Sequence, residues 1–189
     1  DELTILFSRE ILARRSGATI IGEVKCSMNL YRDIEKHGGR GIMWKAGHSL
    51  IKAKMKETGA ALAGEMSGHI FFSDGFYGFD DATFAGGRLL KLVADSGQSI
   101  SALLEDVPQL YNTPEIRVPT GEDVKFEIVS RVQKYFERNY ETVSVDGVRV
   151  IFEEGWALVR ASNTGPHLVL RFEASSPDRL EDIQSIVES

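Results

Sequence analysis

Cysteine is almost absent. Among 189 residues there is one, Cys26, which excludes an intramolecular disulfide and any multi-cysteine zinc site and suits a reducing cytosol. A cytoplasmic protein is therefore expected. No apolar run approaches the ~20 residues that span a bilayer, so no membrane association is expected. The opening DELTILFSRE is acidic and carries no cleavage pattern of a secretory leader. An excess of positive charge is lacking too: 22 Lys and Arg face 28 Asp and Glu, for a net charge of −6. That argues against a broad nucleic-acid surface. It leaves room for a small anion site, which needs only local positive charge. An initiator methionine is also missing. Helical periodicity starts at once, with Leu3, Leu6, Phe7 and Ile11 on one face. Chains rarely begin inside an element, so a longer parent is expected.

What is present reads as ordinary globular protein, 42% hydrophobic and 26% charged, without repeats or low-complexity segments. Residues 3–15 read as a helix stopping at Gly17, and ATIIGEV (18–24) as a β-branched strand. SMNLYRDIEKHGG reads as a helix ending at Gly38-Gly39, GIMWKA (41–46) as a strand and HSLIKAKMKETG as a helix before Gly59. AALAGEMSGHIFF contains a third strand. Residues 80–94 form a helix with Ala85, Leu89, Leu92 and Val93 on one side, and Ser99 caps a short one. Strand and helix alternate with connections too long for hairpins, which predicts a three-layer α/β domain with a mixed sheet over 1–108.

The character changes at VPQLYNTP (107–114), which holds two prolines and no helical period and reads as a hinge. After it come EIRVPT, a helix over about 123–138, and TVSVDGVRVIF. In the last, Asp146-Gly147 between alternating arms signals a hairpin. WALVRA and HLVLRFEA are further strands around SNTGP. Ser176 caps a final helix with Pro177 in its first position. Residues 109–189 are thus expected to form a smaller α+β domain, an antiparallel sheet with helices on one face.

Four stretches carry chemistry. GEMSGH (64–69) sets Glu65, Ser67 and His69 at alternate positions. If the stretch stays extended, all three face one way, a kit for holding a polyhydroxylated ligand. The plainer reading is a glycine-rich turn with a hydrogen-bonded histidine. RASNTGPHLVLR (160–171) puts Arg160 at a strand end before Ser162, Asn163, Thr164 and Gly165. Backbone N–H groups, hydroxyls, an amide and a guanidinium around one point make a phosphate cradle, although Ser, Asn, Gly and Pro also build ordinary hairpin loops. VKCS (24–27) places Lys25 at a strand's C-terminal end, where α/β sheets bind ligands, or simply on a solvated loop. WKAGHSLIK (44–52) places His48 at a helix start, beside the positive end of the dipole, or as a plain capping or core histidine.

Together, VKCS, WKAGHSLIK, GEMSGH followed by GFDD, and RASNTGPHLVLRFEA occur in the order and spacing of the α-D-phosphohexomutases. The chain resembles their bacterial phosphomannomutase/phosphoglucomutase group over essentially its whole length. That family has four domains. The first carries a phosphoserine on a Ser-His loop and the second a magnesium site on an Asp-x-Asp-x-Asp-Arg loop. This chain has neither loop and looks like domains three and four. The resemblance implies hexose phosphate as substrate and the missing N-terminal domains as partners. It also implies Mg2+ held outside this chain and a hexose 1,6-bisphosphate intermediate and activator. Glu65 and Ser67 would bond the hydroxyls on C3 and C4, which glucose and mannose share. Arg160, Ser162, Asn163 and Thr164 would hold the non-reacting phosphate, and Ser162, lacking a histidine neighbour, would not be a nucleophile. Lys25, His48 and His69 would line the cleft between domains in acid/base or phosphate-contact roles, and Arg171 belongs to the motif. Met66 argues against the phosphoglucosamine mutases, which usually carry Gln there. That group is the runner-up, followed by a stand-alone sugar-phosphate-binding module and a plain α/β interaction domain.

Overall fold

The computed structural model describes residues 1–188. Its first compact unit, Asp1–Pro108, opens with α1 (Glu2–Arg14), β1 (Thr19–Glu23), α2 (Met28–Lys36), β2 (Arg40–Trp44) and α3 (His48–Thr58). It continues with β3 (Leu62–Gly64), β4 (Ile70–Phe72), α4 (Ala82–Ser96) and α5 (Ile100–Leu103). The sheet runs β2-β1-β3-β4, parallel except for the antiparallel β3–β4 pair. Successive residues of β1 serve opposite faces, as strand geometry requires. Ile20 joins a core with Ile5, Phe7, Leu30 and Ile34 of α1 and α2. Ile21 joins Ile51 and Met55 of α3. The partly buried Phe84, Leu89 and Leu92 of α4 pack on the first core, so the unit has three layers.

Helix ends follow local chemistry. The side chains of Ser27, Asp81 and Ser99 accept hydrogen bonds from Asn29, Phe84 and Ala102 N–H, capping α2, α4 and α5. Two glycines allow α1 and α2 to seat closely. Gly22 of β1 pairs with Gly64 of β3. A Cβ on Gly22 would lie 2.7 Å from the Tyr31 hydroxyl, and one on Gly64 would lie 2.8 Å from Thr4 Cγ2.

The second unit, Gln109–Ser189, begins with β5 (Tyr111–Asn112), β6 (Ile116–Pro119), α6 (Lys125–Phe136) and β7 (Glu141–Val143). It ends with β8 (Val148–Phe152), β9 (Gly155–Ala161), β10 (His167–Ala174) and α7 (Pro177–Glu188). The order is β5-β10-β9-β8-β7, with β6 also on β10 and every pair antiparallel. The segment expected as a plain hinge therefore contains a strand, because Asn112 pairs with Glu173. The inward residues of β8, β9 and β10 share one core with Val129 and Phe136 of α6 and Ile183 of α7. Both helices thus cover the same face. On the opposite side of the strands, Arg149 stacks 3.6 Å from the Trp156 ring, and the Trp156 indole donates to Glu173 at 2.7 Å.

Candidate substrate site

The three parallel strands of the first unit all end at one edge of the sheet, and each is followed by one of the marked stretches. β1 ends at Glu23 and the chain turns tightly, Cys26 N–H donating to Glu23 O at 2.9 Å. Lys25 lies in that turn, its side chain only 12% exposed and its Nζ 3.9 Å from Glu23 Oε1. β2 leads to Gly47, which has φ 124° and opens α3, so His48 is the first residue of that helix. β3 leads into the Glu65–His69 loop.

That loop takes the plainer of the two readings of GEMSGH. It is not an extended run but the turn of the β3–β4 hairpin: Glu65 N–H donates to His69 O at 2.9 Å and Gly68 N–H to Glu65 O at 3.0 Å. Gly68 takes φ 94°, a left-handed conformation that glycine adopts readily. Strand alternation therefore cannot be what gathers the side chains. Even so, the turn brings Glu65, Ser67 and His69 onto one cleft of about 570 Å³ with His48. Lys52, Phe79 and Asp80 also line it; none of the three stood out as a site residue in the sequence.

The loop is tied down at three points. Glu65 is buried and its Oε1 accepts the Gly47 N–H at 2.8 Å. This carboxylate, rather than an external anion, takes an amide at the start of α3, where the helix dipole favours negative charge. Asp80 accepts the Ile70 N–H at 3.3 Å and contacts His69 Nδ1 through its other oxygen, orienting the ring. Beneath the loop lies Glu23, fully buried. It accepts Lys25 N–H at 2.8 Å and Met66 N–H at 3.2 Å, linking the turn after β1 to the Glu65–His69 loop. Burial pushes its carboxyl up, opposed by the Lys25 charge and the two N–H bonds. A signal was available: a glutamate in the apolar run ATIIGEV must be satisfied wherever it is buried. Cys26 is packed alongside, its Sγ 3.7 Å from Gly64 O. Lys25 is not among the residues that line this pocket of the first unit.

The other residues singled out lie in the second unit, on β9 and β10 and in the loop between them. Ser162 N–H donates to His167 O at 3.0 Å, and the buried Ser162 hydroxyl accepts Thr164 N–H at 3.2 Å. Ser162 thus shapes the loop, while Asn163 and Thr164 are exposed. Arg160 stands near the end of β9. It is buried, and its Nε and Nη2 lie 3.1 and 3.0 Å from Asp146 Oδ2 at the β7–β8 turn. Arg171 is buried too, with Nη2 3.4 Å from Asn112 Oδ1.

Residues 1–111 match the family model "Phosphoglucomutase/phosphomannomutase, alpha/beta/alpha domain III", and residues 115–188 match "Phosphoglucomutase/phosphomannomutase, C-terminal domain". The chain belongs to the phosphoglucomutase/phosphomannomutase family. A phosphomannomutase/phosphoglucomutase of Pseudomonas putida is 49% identical over 189 residues, covering 98% of this chain and 40% of that protein. A crystal structure of a phosphoglucomutase/phosphomannomutase family protein from Burkholderia thailandensis superposes with a TM-score of 0.88 at 45% identity, over 97% of this chain and 39% of that one. An Aspergillus fumigatus N-acetylphosphoglucosamine mutase, solved with GlcNAc-6P and magnesium, shares the fold alone. Its TM-score is 0.71 at 13% identity, over 98% of this chain and 42% of that one. The chain spans about 40% of the length of the phosphoglucomutase/phosphomannomutase relatives it matches, and corresponds to their third and C-terminal domains. Among the described residues no helix is long and apolar enough to cross a membrane, and no cluster of three or more His, Cys, Asp or Glu is arranged to hold a metal ion.

Proposed function

We propose that this chain is the sugar-recognising and phosphate-holding part of an enzyme that interconverts the 1- and 6-phosphates of mannose and glucose. In this reading a phosphoserine outside the chain donates its phosphoryl group to the sugar phosphate. The resulting hexose 1,6-bisphosphate reorients, and the other phosphate returns to the serine. The residues here do not fit a magnesium site, so the Mg2+ of the intact enzyme is held elsewhere, and no step of this reading is assigned to it.

The observation that carries the proposal is the convergence of Glu65, Ser67, His69 and His48 on one cleft. A carboxylate held by a backbone N–H keeps its remaining lone pairs in place for hydroxyl donors, and Ser67 adds a group that can both donate and accept. Glu65 and Ser67 read the C3 and C4 hydroxyls. His48 and His69 supply proton transfer or phosphate contact at the rim. Lys25 acts through Glu23 and the loop above it as well as by its charge. Arg160, Ser162, Asn163 and Thr164 hold the phosphate that is not reacting.

Phosphoryl transfer depends on positioning and charge stabilisation around the reacting groups. The chain alone should therefore bind but not turn over glucose 1-phosphate. The test is sugar-phosphate binding to the chain. Glucose 6-phosphate and mannose 6-phosphate should bind alike, whereas galactose 6-phosphate should bind about ten- to a hundred-fold more weakly, because inverting C4 leaves a buried group unpaired at about 1–3 kcal/mol. Equal affinity for galactose 6-phosphate refutes the assignment of Glu65 and Ser67. Preference for an amino-sugar phosphate would move the chain to the phosphoglucosamine branch.

A further inference from the structure

Beneath the 162–165 loop lies a lysine that neither the motifs nor the proposed site includes. Lys125 is the first residue of α6, and its side chain is 1% exposed. Its Nζ donates to Ser162 O at 2.7 Å and to Gly165 O at 3.2 Å, and lies 2.5 Å from Glu122 Oε1. An ammonium has three N–H donors and no acceptor, so these three partners satisfy it completely. Burying a charge is costly unless it is paired in this way, and most of the pairing here goes to backbone carbonyls of one loop.

The carbonyls decide what the loop presents. A trans peptide is planar, with C=O and N–H pointing in opposite directions. Drawing Ser162 O inward to Lys125 therefore turns the N–H of the same peptide, that of Asn163, away from the ammonium and toward the exposed side of the loop. The second anchor, Gly165 O, fixes the other end. Between them the Ser162 hydroxyl holds the Thr164 N–H. We infer that Lys125 is a positioning residue for the phosphate loop, presetting the Asn163 amide, and with it Thr164, to receive a phosphate dianion. This inference rests on the proposed phosphate role of residues 160–164.

The experiment follows backbone amides of the 189-residue chain by NMR during titration with glucose 6-phosphate. In the parent chain the Asn163 and Thr164 amides should shift saturably. Lys125→Met, which keeps the stem and removes the donors, should weaken that binding at least ten-fold while the variant remains folded. Lys125→Arg, which restores charge and donors, should recover part of it. Should Lys125→Met fail to fold, Lys125→Gln keeps two N–H donors on a shorter, uncharged side chain and reads the same quantity, again with weakened binding expected. A merely structural lysine predicts a lower Tm with unchanged affinity in the folded variant. That result, for Lys125→Met or for Lys125→Gln in its place, overturns the inference and leaves the phosphate reading standing. Absence of any Asn163 or Thr164 shift in the parent chain overturns both.

Discussion

Replacing Arg160 by alanine should do two separable things. The guanidinium and the Asp146 carboxylate have side-chain exposures of 8% and 13%, with two N···O contacts near 3 Å. Deleting one member of a buried pair costs about 3–5 kcal/mol. Residual water access at both ends brings the expected loss nearer ~2–3 kcal/mol. For a domain this small, about 1 kcal/mol moves Tm by ~4–8 °C, so the second unit should melt on the order of 10–20 °C lower. The other effect is on binding. Charge-assisted hydrogen bonds are worth about 1.5–3 kcal/mol, so the affinity for glucose 6-phosphate should fall about ten- to a hundred-fold. Asp146→Asn divides the two effects. It weakens the pair but leaves the guanidinium beside the loop, so it should lower the urea midpoint while largely sparing affinity.

The assay is urea denaturation of both variants, followed by titration calorimetry at a temperature where each is fully folded. Arg160→Lys belongs in the set, because lysine keeps the charge but loses the fork. Two results would refute the reasoning. Unchanged affinity in Arg160→Ala, alongside a lowered midpoint, would mean that the arginine exists only to pin the β7–β8 turn. Equal loss of affinity in Asp146→Asn would mean that the pair acts through loop geometry and not through a guanidinium–phosphate contact.

Three further outcomes are expected. Gly64→Ala pushes a methyl group into Thr4 on α1 and should destabilise by about 1–3 kcal/mol through overpacking; a urea midpoint within error of the parent would show that α1 shifts freely. Glu23→Gln turns one of two accepting oxygens into a donor facing the Lys25 or Met66 amide. It should cost about 1–3 kcal/mol and speed hydrogen exchange in the Glu65–His69 loop, and unaltered exchange there would contradict the tie. Hydrogen bonds from Lys36 and Arg9 hold the Asp106 carboxyl at about 2, below its ordinary 3.8. A depressed carboxyl stabilises the fold above its unfolded value, and that contribution is lost as pH falls through the folded one. The stability gap between the parent and Asp106→Asn, below about 1 kcal/mol because the carboxylate is half exposed, should therefore close as pH drops from about 4 to 2. A gap that persists at pH 2 would refute it.

Much of the architecture was legible because its signals are local. The Asp146-Gly147 turn, the Ser176-Pro177 helix start and the glycine ending α3 act within a few residues of themselves. So does β1, whose run of branched residues lacks the 3.6-residue period of a helix. What stayed hidden rests on elements too short for periodicity to register, or on residues far apart in sequence. The hairpin closed by Glu65 and His69 hides inside AALAGEMSGHIFF because its strands are three residues each, too short for periodicity to register. β5 is two residues long and exists only by pairing with β10. The Arg160–Asp146 pair spans 14 positions, and the Lys125 contacts span 37 and 40. In the sequence each is a charged residue with no sign of burial. Glu65, Ser67 and His69 share one cleft through the turn that the plainer reading of GEMSGH described, not through strand alternation.

The placement of Cys26 has a practical consequence. Its sulfur is sealed between the end of β1 and Gly64, directly under the hairpin that bears Glu65 and Ser67. A thiol reagent reaches it only when that packing separates, and only the thiolate reacts. With one cysteine in the chain, every modified molecule records the same opening event. The labelling rate thus reports opening of the core beneath the Glu65–His69 turn. It needs no introduced probe, and a ligand that closes the loop should slow it in proportion to occupancy.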